Sequence, residues 1–443
     1  MATGTQRKLP QTYLLVYLFA SLSTLYLLCN QGPQFRRHRR LSSSCGDAQD
    51  AEEKGNWRNL SQRDLDGLSM LGKRMILDHD IRVPRDENFT ILIWRTSDSA
   101  RRHFIYRYGE TEVDPFEDCS VRNCQITYRD SDALTADAIY IHLQSTKGPF
   151  AFPPRRGPSQ MWIWHTDESP LHSLPRAFIQ NLKYYNGFFN WSMTYRMDSD
   201  IPVPYGRTLR LPESQIGQRL DNYFDAKPKS VAVMMSNCEM FSNMRLLYVK
   251  LLQRYIDVDF YGKCGTLTCP GHYEKDCDAL KEHKFYLAFE NSDCQEYITE
   301  KVWWSALGKG AVPVVMGGEA EHYKKVLPPN SFLHVDDFNT PKDLAERLRF
   351  LASHRQEYMR FHHWRRYFRV AQEHGFFGSP VHHYCRICES LNYNDLGPKV
   401  YDNMEDYWGV GGQCRAPSWV QREMEWAAKR HEGELNIGRR SMR

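Results

Sequence analysis

The chain has 443 residues, enough for two or three domains of ordinary size and for more than one hydrophobic core. Lys and Arg (58) nearly balance Asp and Glu (54), so the net charge of +4 gives no reason to expect a nucleic-acid partner. Aromatic residues make up 13% of the chain, which suits large cores or sugar-stacking surfaces, and no internal repeat or long low-complexity tract is present.

Residues 12–29, from Thr12 to Cys29, carry no charge and lie between Arg7-Lys8 and the basic run Arg36–Arg40. That length is near the minimum for crossing a bilayer. A cleaved signal peptide competes with this reading, but the apolar run is long for one and no small-x-small cleavage site follows. A retained single anchor is therefore expected. The flanking charges favour a cytoplasmic C-terminal portion. Sequons at Asn59, Asn88 and Asn190, together with 12 cysteines, point instead to an oxidising lumen, and we follow those. The expected organisation is a tail (1–11), an anchor (12–29) and a polar stem (30–87) with one helical patch near Leu65–Leu77.

Strand patterns begin at Phe89–Trp94 and recur at Ala138–His142 and Met161–Trp164, after which Thr166-Asp167-Glu168-Ser169-Pro170 leaves a strand end. Strands alternating with helical segments make a first α/β domain over 88–215. The polar run Arg207–Lys229, with Pro212 and Pro228, reads as the interdomain linker. A second domain, 216–390, begins with the strand Ser230–Met235 and the helix Asn243–Tyr255, and is closed by helices at Lys342–Phe350 and Gln356–Val370. Residues 391–443 form a C-terminal extension.

The stretch Lys284–Gly317 carries the chemistry. Two short apolar runs, Phe285–Phe289 and Ala311–Met316, flank a loop and a helical segment in which Ile298, Val302 and Ala306 recur at helical spacing. Such a βαβ unit implies a parallel sheet with a right-handed crossover, and its loop Glu290–Tyr297 points at a pocket beyond the strand ends. Lys301 in the first helical turn opposes the helix dipole, which makes sense if an anion docks there. Glu300 beside it can accept two hydrogen bonds from a ribose diol. From spacing alone, a solvated Glu-Lys pair on an amphipathic helix is the commoner arrangement.

The same stretch resembles the signature of the α1,3/4-fucosyltransferases, glycosyltransferase family ten. Its elements stand as Phe285-Tyr286-Leu287, Phe289-Glu290-Asn291, Tyr297–Lys301 and Val312–Val315 with Gly317. The resemblance covers about residues 88–390 and implies the GT-B architecture: two Rossmann-like α/β domains facing a central cleft. It implies a lumenal catalytic domain on a short cytoplasmic tail, hence a single-pass type II protein of the Golgi membrane. It also implies that Cys119 and Cys124 pair with Cys385 and Cys388, and that Cys238 pairs with Cys277. Cys264 with nearby Cys269 is sterically plausible, which leaves Cys45, Cys294 and Cys414 unassigned and a free or intermolecular thiol expected. A zinc half-site at Cys385-Arg386-Ile387-Cys388, completed by His382-His383, is the alternative.

Fucose transfer from GDP-fucose with inversion needs a carboxylate to take the acceptor proton and positive charge to stabilise the leaving diphosphate. The resemblance assigns the base to Glu168, although Asp167 before it departs from the family pattern and adds a second carboxylate. A local role for Glu168 near a helix start is the competing reading. The resemblance also places a phosphate-binding arginine at Arg245; an exposed helical arginine is the plainer reading. Lys301 joins it at the diphosphate, Glu300 takes the ribose, and Asn291 and Tyr297 are further donor-pocket candidates. Asp198-Ser199-Asp200 has the form of the metal–diphosphate motif of the other large glycosyltransferase fold, yet it resembles a family-ten segment that binds no obligatory metal. No required metal and no cofactor are expected. The basic-aromatic run Phe361–Phe368 reads as packed aromatics with snorkelling arginines rather than as a nucleic-acid groove.

The expected function is an inverting α1,3-fucosyltransferase acting on a GlcNAc hydroxyl of a glycoprotein N-glycan, at the core or on an antenna. Two alternatives stay open: a catalytically silent Golgi sugar-nucleotide-binding protein, and a protein O-fucosyltransferase.

Overall fold

In the computed structural model the described residues are 57–77, 82–95, 114–116, 119–157, 159–175, 177–238, 243–269 and 275–425. The apolar stretch 12–29, the basic run Arg36–Arg40 and Cys45 lie outside them. Among the described residues no helix is long and apolar enough to cross a membrane.

The first sheet contains β1 (Phe89–Ile93), β2 (Cys124–Thr127), β3 (Ala138–His142), β4 (Met161–His165), β5 (Trp191–Thr194) and β6 (Ile201–Pro202), in the order β2-β1-β3-β4-β5-β6 with every pairing parallel. β3, β4 and β5 are buried at every position, as expected of parallel strands covered on both faces. The chain leaves this sheet through β7 (Gly206–Arg210). The second sheet contains β8 (Lys229–Met234), β9 (Val258–Tyr261), β10 (His283–Phe289), β11 (Val312–Met316) and β12 (Leu333–His334), in the order β12-β11-β10-β8-β9, again all parallel. Strand order reverses between β8 and β10, and that switch point opens a crevice beyond their carboxyl ends.

Two segments differ from expectation. Residues 207–210 do not form an open linker, because β7 pairs antiparallel with β13 (Phe368–Gln372). For the same reason the expected helix Gln356–Val370 stops early. A helix covers Arg355–Arg360, a short turn covers His363–Arg366, and the ladder with β7 captures Phe368 and Val370. Local propensity yields there to a tertiary hydrogen-bond ladder. Trp364 and Phe368 are buried while Arg365 lies over the rings of Trp364 and Tyr223.

Two short helices, α1 (Gln62–Gly67) and α2 (Met70–Leu77), precede the first sheet, and Leu71 and Met75 of α2 enter its core. The packed body thus begins inside the range read as stem. The crossovers of the second sheet include α3 (Arg245–Leu252) and the π-helical turn α4 (Lys301–Ala306), while α5 (Pro341–Ser353) follows its last strand and packs on α3. Helix α6 (His383–Tyr393) returns to the first sheet and is buried along its whole length. Several of its polar residues are bonded inside the core: Asn392 donates to Asn123 Oδ1 at 2.9 Å, and Arg386 bonds Glu389 and Glu373.

Disulfides Cys119–Cys385 and Cys124–Cys388 staple α6 in place, so those cysteines are not a zinc half-site. The expected pairing of Cys238 with Cys277 is corrected. Cys238 joins Cys264, and Cys269 joins Cys277, which also excludes Cys264–Cys269. β8 and β9 are neighbours, so the residues just past their ends meet and Cys264 reaches Cys238. Cys294 and Cys414, left without partners by the sequence, form a fifth bridge with a Cα–Cα distance of 3.9 Å. Residues 404–425 lean on both cores: Trp408 meets Trp164 at a ring separation of 5.2 Å, and Trp419 meets Tyr248 at 5.1 Å.

Candidate active site

A cavity of about 800 Å³ lies at the switch point of the second sheet and reaches the end of β4 in the first. Glu168, Arg245, Asn291, Tyr297, Glu300 and Lys301 all line it. Six residues chosen from three separate stretches therefore share one space.

The first sheet supplies the carboxylate. Glu168 follows β4 by three residues, and its backbone N–H donates to Thr166 Oγ1 at 3.1 Å, which turns the chain sharply. Its carboxylate faces the other sheet, where Tyr297 Oη–H donates to Glu168 Oε2 at 2.8 Å. Burial and the neighbouring Glu168 charge hold the Tyr297 phenol well above its ordinary pKa, so it remains a donor. Glu296 stands just before it at φ +54°, and its carboxylate accepts from the Met197 N–H at 2.7 Å. A non-glycine residue held there is a strained feature of the kind that gathers at functional sites.

Asp167 is a different carboxylate. It accepts from His383 Nε2–H at 3.0 Å and faces His165 Nε2 at 3.3 Å and His374 Nε2 at 3.8 Å. Burial alone would raise its pKa, but the three imidazoles outweigh that and hold it well below the usual range. Asp167 is an anchored anion, and its backbone carbonyl is fixed by Tyr205 Oη at 3.0 Å. Two sets of groups here, Asp167 with His374 and His383, and Asp167 with His142 and His165, bring possible metal-binding atoms within 4.8 Å of one another. His374 Nε2 faces the Val203 carbonyl at 3.0 Å, so that nitrogen carries a proton and does not coordinate as placed.

The second sheet supplies the cations. Arg245 opens α3 after Met244, which sits at φ +54°. Its guanidinium is buried and donates to the Phe289 carbonyl at 2.9 Å and the Asn237 carbonyl at 3.4 Å, leaving further N–H groups toward the cavity it lines. Desolvation lowers its pKa, with Glu290 opposing. Lys301 Nζ lies 3.2 Å from Glu290 Oε2 and 3.0 Å from Glu300 Oε1. Burial alone would depress the ammonium, yet the two carboxylates raise its pKa above the ordinary lysine value. Glu290 is fully buried and takes two hydrogen bonds from Thr299, whose N–H donates at 2.8 Å. Desolvation nonetheless raises its pKa. Glu300 is lowered, because the Lys301 ammonium outweighs its burial. The loop after β9 reaches the cavity through Gly262 at φ +88°, where a Cβ would stand 2.5 Å from the Met235 carbonyl oxygen. Only glycine fits that approach.

The sequence had missed several lining residues: Tyr205, Asp276, Tyr286, Trp304, His374 and Phe377. Of these only Tyr286 belongs to the signature, where it was read as part of a buried strand, and only the folding of β13 and its following turn over the second sheet brings His374 and Phe377 in. Asp198 and Asp200 do not line the cavity. Asp198 pairs with Arg196, and Asp200 accepts from Ser192 N–H at 2.9 Å and Tyr401 Oη at 2.8 Å. Asn190 is corrected as a glycan acceptor. It is 7% exposed, its Oδ1 accepts from the Trp162 N–H and its Nδ2 donates to the Lys399 carbonyl, both at 2.8 Å. Asn59 and Asn88 are exposed.

Residues 86–206 match the family model "Fucosyltransferase, N-terminal", and residues 224–408 match "Glycosyltransferase family 10 (fucosyltransferase) C-term". Glycoprotein 3-alpha-L-fucosyltransferase A of Drosophila melanogaster is 36% identical over 309 residues, covering 68% of this chain and 57% of the relative. The Bos taurus 3-galactosyl-N-acetylglucosaminide 4-alpha-L-fucosyltransferase FUT3 is 40% identical over 246 residues, covering 55% and 64%. The chain thus spans roughly three fifths of the length of these two relatives. The Pan troglodytes 4-galactosyl-N-acetylglucosaminide 3-alpha-L-fucosyltransferase FUT6 is 36% identical over 272 residues, covering 61% of this chain and 71% of the relative. A crystal structure of an alpha1,3-fucosyltransferase with GDP aligns at 16% identity and a TM-score of 0.44, covering 77% of this chain and all of that one. With both family models spanning its two sheets and relatives of this identity, the chain belongs to glycosyltransferase family 10, the fucosyltransferases.

Proposed function

We propose that the protein is an inverting α1,3-fucosyltransferase of GT-B architecture that moves fucose from GDP-fucose to a GlcNAc hydroxyl of a glycoprotein N-glycan, at the core or on an antenna. The observation that carries this reading is the shared cavity: a carboxylate from one sheet, Glu168, faces the same space as two cations from the other, Arg245 and Lys301. Glu168 removes the acceptor hydroxyl proton while that oxygen attacks the anomeric carbon. The bond to the diphosphate breaks as the new bond forms, and Arg245 and Lys301 take up the charge of the departing GDP. Glu300 holds the ribose, and Asn291 belongs to the donor pocket. Tyr297 orients Glu168.

The name of the Drosophila relative favours a glycoprotein acceptor, and those of the vertebrate relatives favour a galactosyl-N-acetylglucosaminide. Both acceptors stay within the proposal. Residues 12–29 serve as a signal-anchor on a stem, with the catalytic part in the Golgi lumen, and no metal is obligatory. Transfer from GDP-fucose to a panel of lactosamine, N-glycan and peptide acceptors tests the reading. Turnover on N-glycans that survives chelation is expected. Turnover on none of the acceptors sinks it in favour of a silent binding protein, and turnover on a peptide hydroxyl alone favours the O-fucosyltransferase. Activity wholly dependent on Mn²⁺ and lost with Asp198→Asn would restore a metal–diphosphate role for that motif.

A further inference from the structure

Beyond Lys301 the cavity wall becomes aromatic. Trp304 lies one turn further along α4, half-buried, on the face that Glu300 and Lys301 share. Its indole is held by its only polar atom, since Nε1–H donates to Asp276 Oδ1 at 3.0 Å. Lys309 Nζ pairs with Asp276 Oδ2 and stands 5.6 Å from the indole centroid, which locks this small cluster from behind. With its N–H satisfied, the ring has only its π face to offer a ligand.

A second ring comes from a different part of the chain. Phe377 sits in the turn after β13, its centroid 5.5 Å from that of Trp304 at an interplanar angle of 39°. It reaches this place at φ +49° and ψ +49°, a left-handed conformation that bulky residues avoid. The turn is anchored at its base by His374, which stacks on Tyr205 at 3.9 Å and bonds the Val203 carbonyl. A strained residue held this firmly, with an aromatic ring turned to a cavity, marks a ligand-contacting position.

The chemistry of a nucleoside diphosphate then assigns the ligand. Glu300 and Lys301 stand where ribose and diphosphate are expected, and the base leaves the ribose on the side away from the phosphates. Trp304 follows Lys301 by three residues in the same π-helical turn and lines the same cavity, which brings its ring beside that base. We propose that Trp304 and Phe377 form an aromatic subsite that stacks the purine of the donor. This rests on the donor reading given above, which it extends from the phosphates to the base.

The test titrates the full chain with GDP, and with inorganic pyrophosphate as a probe that lacks the base. Trp304→Ala is expected to weaken GDP by at least about five-fold, Phe377→Ala by a smaller factor, and Trp304→Phe by less than about three-fold. Pyrophosphate affinity should be the same in all four proteins. Unchanged GDP affinity in Trp304→Ala overturns the subsite while leaving the donor reading intact. So does a raised KM for acceptor glycan with GDP affinity untouched, which would make the two rings an acceptor platform. An equal loss for pyrophosphate means that the pocket has collapsed and also counts against stacking. Failure of the unmodified protein to bind GDP overturns the donor reading itself, and the subsite with it.

Discussion

The Tyr297 hydroxyl donates to Glu168 Oε2 at 2.8 Å, and the two residues come from different sheets. The proposed base is therefore oriented by the lobe that carries the proposed diphosphate cations. Glu168→Gln is expected to abolish transfer with GDP affinity nearly unchanged. Tyr297→Phe should lower kcat by roughly ten-fold or more, the size of a hydrogen bond to a charged acceptor, with little change in the KM for GDP-fucose. Steady-state kinetics with separately measured GDP binding checks both. Lost nucleotide binding in Glu168→Gln would assign that residue a structural role.

Lys301 holds two jobs that can be separated. Lys301→Ala leaves the fully buried Glu290 without its cation, a loss expected to cost about 3–5 kcal/mol of stability as well as donor affinity. Lys301→Met combined with Glu290→Gln should recover most of that stability but not the donor affinity. Thermal unfolding and GDP titration on the same samples distinguish the two. Recovery of both would remove Lys301 from the diphosphate.

Asp293 provides a pH signature. Burial is the main cause that raises its pKa from 3.8 to about 7, against a hydrogen bond from Asn243 Nδ2 at 2.8 Å. The folded state then binds the proton more tightly than the unfolded state. Stability from this group is complete below about pH 4 and is lost as pH rises through about 7. Asp293→Asn should match the unmodified protein near pH 4 and exceed it above pH 7, by up to about 4 kcal/mol. Denaturant titrations at several pH values follow the difference between the two proteins. A difference that does not change with pH refutes it.

The Cys294–Cys414 bridge closes a span of 120 residues and ties the C-terminal segment to the loop after β10. Cys414→Ser is expected to lower stability by about 2–5 kcal/mol. It should also loosen the loop that carries Tyr297, seen as a fall in kcat larger than the change in GDP affinity. Equal unfolding curves for the two proteins would exclude this role.

In secreting cells, Asn59→Gln and Asn88→Gln should each remove one glycan, and Asn190→Gln none. Mobility before and after deglycosylation reads this directly. A glycan on Asn190 would contradict its burial against Trp162 and Lys399.

Much of the site was legible in the residue order. The run Phe285–Met316 declares a strand-helix-strand unit by its apolar spacing, and a parallel crossover of that length leaves Glu300 and Lys301 one place to stand, beyond the carboxyl end of β10. Glu168 and Arg245 were picked out by the family resemblance rather than by spacing, and both line the same cavity. Periodicity reports which residues a segment buries, and strand ends follow from it. What tertiary structure alone decided concerns residues distant in sequence. β7 pairing with β13 turned an expected linker and an expected helix into a ribbon that carries His374 and Phe377 to the cavity. The adjacency of β8 and β9 chose Cys264 for Cys238. Three histidines from three segments made Asp167 an anchor rather than a base. Such choices depend on which surfaces meet after chain reversal, and no local pattern encodes them, because loop closure allows many pairings and only packing and hydrogen-bond satisfaction select one.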